Sequence, residues 1–128
     1  MADILVVDDD RDTADALSDF LTMEGHQVRI AGDGLEGLTC LDARLPDLVL
    51  LDVEMPRLTG PEMAYEMLVR NVGREKIPIV LLSGFLNLWQ VAARVGTKYF
   101  LGKPYSIDAA LALIARALEE RSAPLPDT

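Results

Sequence analysis

The chain is poor in the residues that build special-purpose sites. Its 128 residues include one cysteine, one histidine and one tryptophan. A single thiol, Cys40, excludes a disulfide framework and a cysteine-based zinc site, and a reducing cytoplasm is its natural setting. His26 stands alone between two periodic segments and reads as a turn residue rather than a metal ligand. Basic residues are also scarce, 12 against 21 acidic ones, for a net charge of −9. Such a field repels nucleic acid and anionic lipid, so no direct nucleic-acid role is expected, whereas a metal cation or a basic protein surface would suit it. No apolar stretch approaches the roughly 18 residues of a membrane span. Met1 leads into a strand pattern rather than a secretory leader.

What is present is an ordinary globular composition arranged in alternation. The length fits one domain, and folding at this size hides roughly two-thirds of the unfolded surface, enough for a core without staples. The apolar run from Asp3 to Asp8 predicts a first strand, halted at Asp8-Asp9-Asp10. Ala14, Leu17, Phe20 and Leu21 predict the inner stripe of a helix from about Arg11 to Glu24, ended by Gly25. Gln27 to Ala31 reads as a second strand, and Leu35, Leu38 and Leu41 mark a second helix after Asp33-Gly34. Asp47 to Asp52 repeats the first strand's pattern. Pro61 opens a third helix with Met63, Ala64, Met67 and Leu68 inward. A strand over Ile77 to Ser83, a helical stripe at Leu88, Val91, Ala92 and Val95, and a strand over Lys98 to Gly102 follow. Ser106 caps a last helix carrying Ile107, Leu111, Ile114 and Leu118. Residues 122–128, with Pro124 and Pro126, read as a disordered tail or linker stub beyond a domain of residues 1–121. Five strand–helix pairs with near-continuous apolar strands predict a three-layer α/β domain with a parallel sheet.

In open α/β sheets, ligands bind beyond the carboxyl ends of the strands. The residues there are Asp8, Asp9 and Asp10 after strand one, Asp52 after strand three, Ser83 and Gly84 at strand four and Lys103 after strand five. Two like charges at 4 Å cost roughly 4 kcal/mol at a near-surface dielectric, so a cluster of Asp8, Asp9 and Asp52 calls for a hard divalent cation, Mg²⁺ or Mn²⁺. Lys103 suits one phosphoryl oxygen, and the Ser83 hydroxyl can donate to another. Each element alone is weak, since acidic strand ends are usually solvated caps. In order, each at the functional end of its own strand, they make a cradle for a phosphoryl group with a carboxylate placed to receive it.

Over nearly its whole length the chain resembles the receiver domains of two-component response regulators. The resemblance rests on Val6-Val7-Asp8-Asp9-Asp10, Leu50-Leu51-Asp52-Val53-Glu54-Met55-Pro56 with Gly60, Leu82-Ser83-Gly84, and Phe100-Leu101-Gly102-Lys103-Pro104-Tyr105. It implies a flavodoxin-like five-stranded parallel sheet in the order 2-1-3-4-5 with five helices. It further implies that Asp52 accepts a phosphoryl group from the phosphohistidine of a histidine kinase or histidine phosphotransfer protein. Asp9, Asp52 and the backbone carbonyl of Glu54 would ligate Mg²⁺, with Asp8 helping through water. Ser83 and Lys103 would hold phosphoryl oxygens, Phe100 would be the aromatic switch partner of Ser83, and the Lys103–Pro104 bond would be cis. Such a domain is a phosphotransfer switch acting on an output partner, not a turnover enzyme.

Two departures from the family pattern stand out. Ser83 and Lys103 are 20 positions apart, slightly fewer than family members usually have, and Phe85-Leu86-Asn87-Leu88-Trp89 stands where small and charged residues are usual. Leu86 or Trp89 would add an apolar patch to the face of helix four, strand five and helix five, where receivers form homodimers or meet outputs; alternatively, Trp89 is buried by repacking. The second departure is Glu54, whose carboxylate near the site mouth would alter phosphoryl lifetime or metal affinity, or be a plain solvated residue. Two rival functions remain: a phosphate-independent interaction module, and an Mg²⁺-dependent aspartyl-nucleophile phosphohydrolase. The first is opposed by the intact site residues. Against the second, Glu54 stands where that group wants a second aspartate, and a substrate-capping insertion is lacking.

Overall fold

The computed structural model describes residues 1–70, 73–84 and 87–125. In chain order they form β1 (Asp3–Val7), α1 (Arg11–Met23), β2 (Gln27–Ala31), α2 (Gly34–Ala43), β3 (Leu48–Leu51), α3 (Gly60–Arg70), a 3-10 turn (Arg74–Lys76), β4 (Ile79–Ser83), α4 (Leu88–Val95), β5 (Tyr99–Gly102) and α5 (Ile107–Glu120). The strands make one parallel sheet ordered β2-β1-β3-β4-β5.

Alternation along each strand divides the interior into two cores, because successive side chains point to opposite faces. Leu5, Val7, Val49, Leu51, Ile79 and Leu81 face α2, α3 and α4. Ile4, Val6, Leu48, Leu50, Val80, Leu82 and Tyr99 face α1 and α5. Both faces are covered, so the central strands read as unbroken apolar runs.

The helices begin where side chains satisfy their free amides. Asp10 caps α1 through Thr13 N–H, Asp33 caps α2 through Glu36 N–H, and Ser106 caps α5 through Ala109 N–H. Thr59 and Glu62 form a reciprocal capping box at α3: Glu62 N–H donates to Thr59 Oγ1 (3.3 Å) and Thr59 N–H to Glu62 Oε1 (2.9 Å).

The element order and the core helices match the sequence reading, and the stripes needed correction. Phe20 is 40 % exposed, and Leu35 and Leu68 also face solvent. In α1 the buried line is Ala14, Leu17 and Leu21; in α2 it is Gly34, Gly37, Leu38 and Leu41. Phe20, Leu35 and Leu68 each lie one residue off such a line, about 100° around the helix, which takes them to its flank. β4 and β5 also begin later than expected, at Ile79 and Tyr99. Past α5, residues 121–125 have no regular secondary structure, and Leu125 N–H donates to Gly96 O (2.9 Å).

Candidate functional site

Parallel pairing brings all the strand carboxyl ends to one edge, and register aligns them: Val7 pairs with Leu51, Leu51 with Leu81, and Ser83 with Gly102. The residue after β1 is therefore beside the residue after β3. Asp52 N–H donates to Val7 O (2.9 Å) and Lys103 N–H to Ser83 O (2.8 Å), so backbone bonds hold the loop starts together. The Lys103–Pro104 bond is cis, as expected.

One carboxylate oxygen each from Asp8, Asp9 and Asp52 lies within 4.8 Å of the other two. Asp8 is 4 % exposed and Asp52 8 %, while Asp9 faces solvent. Lys103 Nζ donates to Asp8 Oδ2 at 3.0 Å and stands 3.7 Å from Asp52 Oδ2. Local backbone orients the carboxylates: Val53 N–H donates to Asp52 Oδ1 (2.8 Å) and Asp10 N–H to Asp8 Oδ1 (2.9 Å). Asp10 itself turns away to cap α1. Hydrogen bonds from the Thr13 hydroxyl and amide hold its carboxyl below the usual range. The three consecutive aspartates are thus divided, two for the cluster and one for the helix.

The charges are unevenly balanced, with one ammonium facing three carboxylates. Burial, and then the charge of Asp8, push the Asp52 carboxyl up to about 6 against the pull of Lys103 and the Val53 amide. Burial alone would lower Lys103, but the hydrogen bond to Asp8 and the charges of Asp52 and Asp8 outweigh it and leave the lysine above its ordinary value. Three hard oxygen ligands with surplus negative charge fit Mg²⁺ or Mn²⁺ in kind.

The remaining expected residues differ in exposure. Ser83 is buried at the end of β4, and the Glu54 side chain is exposed. Phe100, paired with Leu81 in β5, is 40 % exposed. Trp89 is 61 % exposed on α4, which overturns the alternative of a buried, repacked indole. Leu86 lies outside the described residues. Beside Lys103, a groove of about 460 Å³ runs between α1 and the β5–α5 loop, lined by Thr13, Ala16, Leu17, Pro104 and Tyr105.

Sequence reasoning named Gly60 without its physical cause and missed Arg57 altogether. Gly60 is required by contact: a Cβ there would stand 2.1 Å from Asp52 O, so only glycine lets α3 start against the acceptor loop. Arg57 pairs with Asp33 across the sheet edge. The Asp33-to-Glu36 spacing signals a helix cap, but nothing in the sequence links it to Arg57.

A doubly wound parallel sheet with clustered carboxylates, a serine and a lysine at its carboxyl edge is the arrangement that the resemblance to receiver domains implies. The comparisons agree. The sequence model of the response regulator receiver domain matches residues 4–115. The chain is 37 % identical over 123 residues to response regulator MprA of Mycobacterium sp. (strain KMS), covering 94 % of this chain and 52 % of that protein. It thus spans about half the length of the curated relatives it matches. Among solved structures, the receiver domain of NtrX from Brucella abortus superposes with a TM-score of 0.81 at 35 % identity, covering 91 % of this chain and 98 % of that one. Chemotaxis response regulator CheY4 of Vibrio cholerae gives a TM-score of 0.80 at 31 % identity, with the same shares covered. The chain belongs to the response regulator receiver domain family, a family of two-component signalling switches. Among the described residues, no helix is long and apolar enough to cross a membrane.

Proposed function

We infer that Asp52 accepts a phosphoryl group from a phosphohistidine on a histidine kinase or histidine phosphotransfer protein. The observation that carries this is the convergence of Asp8, Asp9 and Asp52 within 4.8 Å beside Lys103. An Asp52 oxygen attacks phosphorus, forming the acyl phosphate bond as the P–N bond breaks and its electron pair returns to the imidazole. With its carboxyl pushed to about 6, Asp52 is an anion at neutral pH and able to attack. Its Oδ1 is occupied by Val53 N–H, so Oδ2, the oxygen nearer Lys103, is the attacking atom.

Asp9, Asp52 and the Glu54 carbonyl would hold Mg²⁺, or Mn²⁺, with Asp8 assisting through water. When bound, the ion offsets charge on the carboxylates and on the incoming phosphoryl oxygens. Lys103, already on Asp8, would move its hydrogen bonding to a phosphoryl oxygen, and Ser83 would take another. That motion would draw Phe100 inward from its exposed position and so report phosphorylation on the outer face of β5.

The domain, residues 1–121, works in the cytoplasm as a switch with self-phosphorylation and slow autodephosphorylation, not as a turnover enzyme. Its output is an unidentified partner, or a second copy, meeting α4, β5 and α5, where Trp89 is exposed. Intact mass after incubation with acetyl phosphate tests the reading. Wild type gains one phosphoryl group only with Mg²⁺, and Asp52→Ala gains none. Labelling of Asp52→Ala equal to wild type would overturn the assignment.

A further inference from the structure

The loop from β3 to α3 leaves Asp52 and is fastened at two places. Near its end, Gly60 N–H donates to Val53 O (2.9 Å). At its middle, Arg57 adopts a left-handed backbone (φ 66°), uncommon for a residue with a side chain. Its guanidinium donates to Asp33 Oδ2 from Nε (2.6 Å) and from Nη2, and Nη2 also reaches Glu36 Oε2 (3.3 Å). Alongside, Gly34 N–H donates to Leu58 O (3.2 Å), and a Cβ on Gly34 would stand 2.6 Å from that oxygen. The loop therefore lies directly on the start of α2.

Exposed ion pairs usually contribute little, because two long side chains must be ordered in water. This one differs on the acceptor side. Asp33 is 3 % exposed and already oriented, since its Oδ1 accepts Glu36 N–H (2.9 Å) as the α2 cap. Only the arginine must be ordered, and it brings two donors to one fixed oxygen. A left-handed non-glycine residue persists where its surroundings over-determine it, and here the surroundings are Asp33, Glu36 and Gly34.

We propose that Arg57, through Asp33, is a strap that holds residues 53–60 in the conformation the cation site beside Asp52 requires. The inference rests on the metal-binding reading given above. Arg57 is a positioning residue, acting through the loop backbone that carries Glu54. Freeing it lowers cation affinity and loosens the loop, and leaves the chemistry at saturating metal intact.

The test uses the full chain as wild type, Arg57→Ala, Arg57→Lys and, as a control, Arg121→Ala, which removes an exposed pair with Asp47 at the opposite edge of the sheet. Mg²⁺ affinity is read by titration calorimetry and by the Mg²⁺ dependence of acetyl phosphate labelling. Amide exchange over 53–60 is read in EDTA. Arg57→Ala should weaken Mg²⁺ about tenfold, as loss of a ligand-orienting partner does, and keep the labelling rate at saturating Mg²⁺. Exchange over 53–60 should quicken while α5 is unchanged; Arg57→Lys should fall between, and Arg121→Ala should match wild type in Mg²⁺ affinity and in exchange over 53–60. Wild-type affinity and exchange in Arg57→Ala would overturn the strap, as would equal weakening in Arg121→Ala. If wild type binds no Mg²⁺, the metal reading falls, and exchange in EDTA still decides the strap: faster sustains it, unchanged overturns it.

Discussion

At the amino edge of the sheet, acidic residues are met by arginines. Arg44 Nε lies 2.6 Å from Asp3 Oδ2 and Arg29 Nε 3.5 Å from Asp3 Oδ1, while Arg121 Nη1 lies 3.1 Å from Asp47 Oδ1. Asp47 Oδ2 also accepts Asp3 N–H at 2.8 Å. That amide bond, reinforced by Arg121 and opposed by burial, holds Asp47 below the usual carboxylate range. At the carboxyl edge, Asp8, Asp9 and Asp52 share Lys103, and Asp52 is pushed the other way. The same residue type, in the same sheet, is a fastening at one edge and an unspent charge at the other. Neutralised acids stabilise the fold; under-neutralised ones keep capacity for a cation and an electrophile.

The sharpest way to break this contrast is to remove the lysine. Lys103→Ala should slow labelling by acetyl phosphate about a hundredfold at saturating Mg²⁺, the usual scale for loss of one preorganised charge-stabilising group. A rate within a factor of two of wild type, measured by intact mass over time, would mean that the lysine only neutralises Asp8.

Stability should respond with opposite signs at the two edges. Because the fold raises Asp52 above its ordinary value, its contribution is present at pH below about 4 and lost as pH rises through about 6. In EDTA at pH 8, Asp52→Asn should therefore be more stable than wild type, on the order of 1 kcal/mol after solvent screening, with the gap closing towards pH 4. Paired denaturant titrations would show it, and a gap independent of pH would refute the sign. Asp47 is depressed, so its contribution is present above the ordinary carboxylate range and lost as pH falls through its folded value. Asp47→Ala should cost about 1 kcal/mol at pH 7, a shift of a few degrees in melting temperature.

The smallest effect is expected at Trp89. An exposed indole should emit at the wavelength of a solvated ring and be quenched freely by acrylamide, and Trp89→Ala should change stability by less than about 0.5 kcal/mol. Protection from quencher in a monomer would remove the apolar patch from α4.

Much of the site was legible because its logic is local. β1, β3, β4 and β5 are apolar runs that stop at a chemical group, and Asp8, Asp9, Asp52, Ser83 and Lys103 could be named from those stops. The helix cap at Ser106 was equally plain. What escaped were relations between segments. Phe20, Leu35 and Leu68 were read as inward because their periodicity marks a helix face broader than the strip the sheet covers. Asp10 belonged to the acidic run by position and to the α1 cap by geometry.

By itself, then, the sequence determined the element order, the parallel α/β class and the identity of the groups at the carboxyl edge, since period-2 and period-3.6 patterns and strand stops are properties of neighbouring residues. Only the tertiary structure decided how those groups share charge: that Lys103 sits nearer Asp8 than Asp52, that Asp52 is raised to about 6, and that Arg57 reaches Asp33. Coulomb energies and hydrogen bonds depend on distances of a few ångströms between atoms far apart in the chain, and register alone sets those.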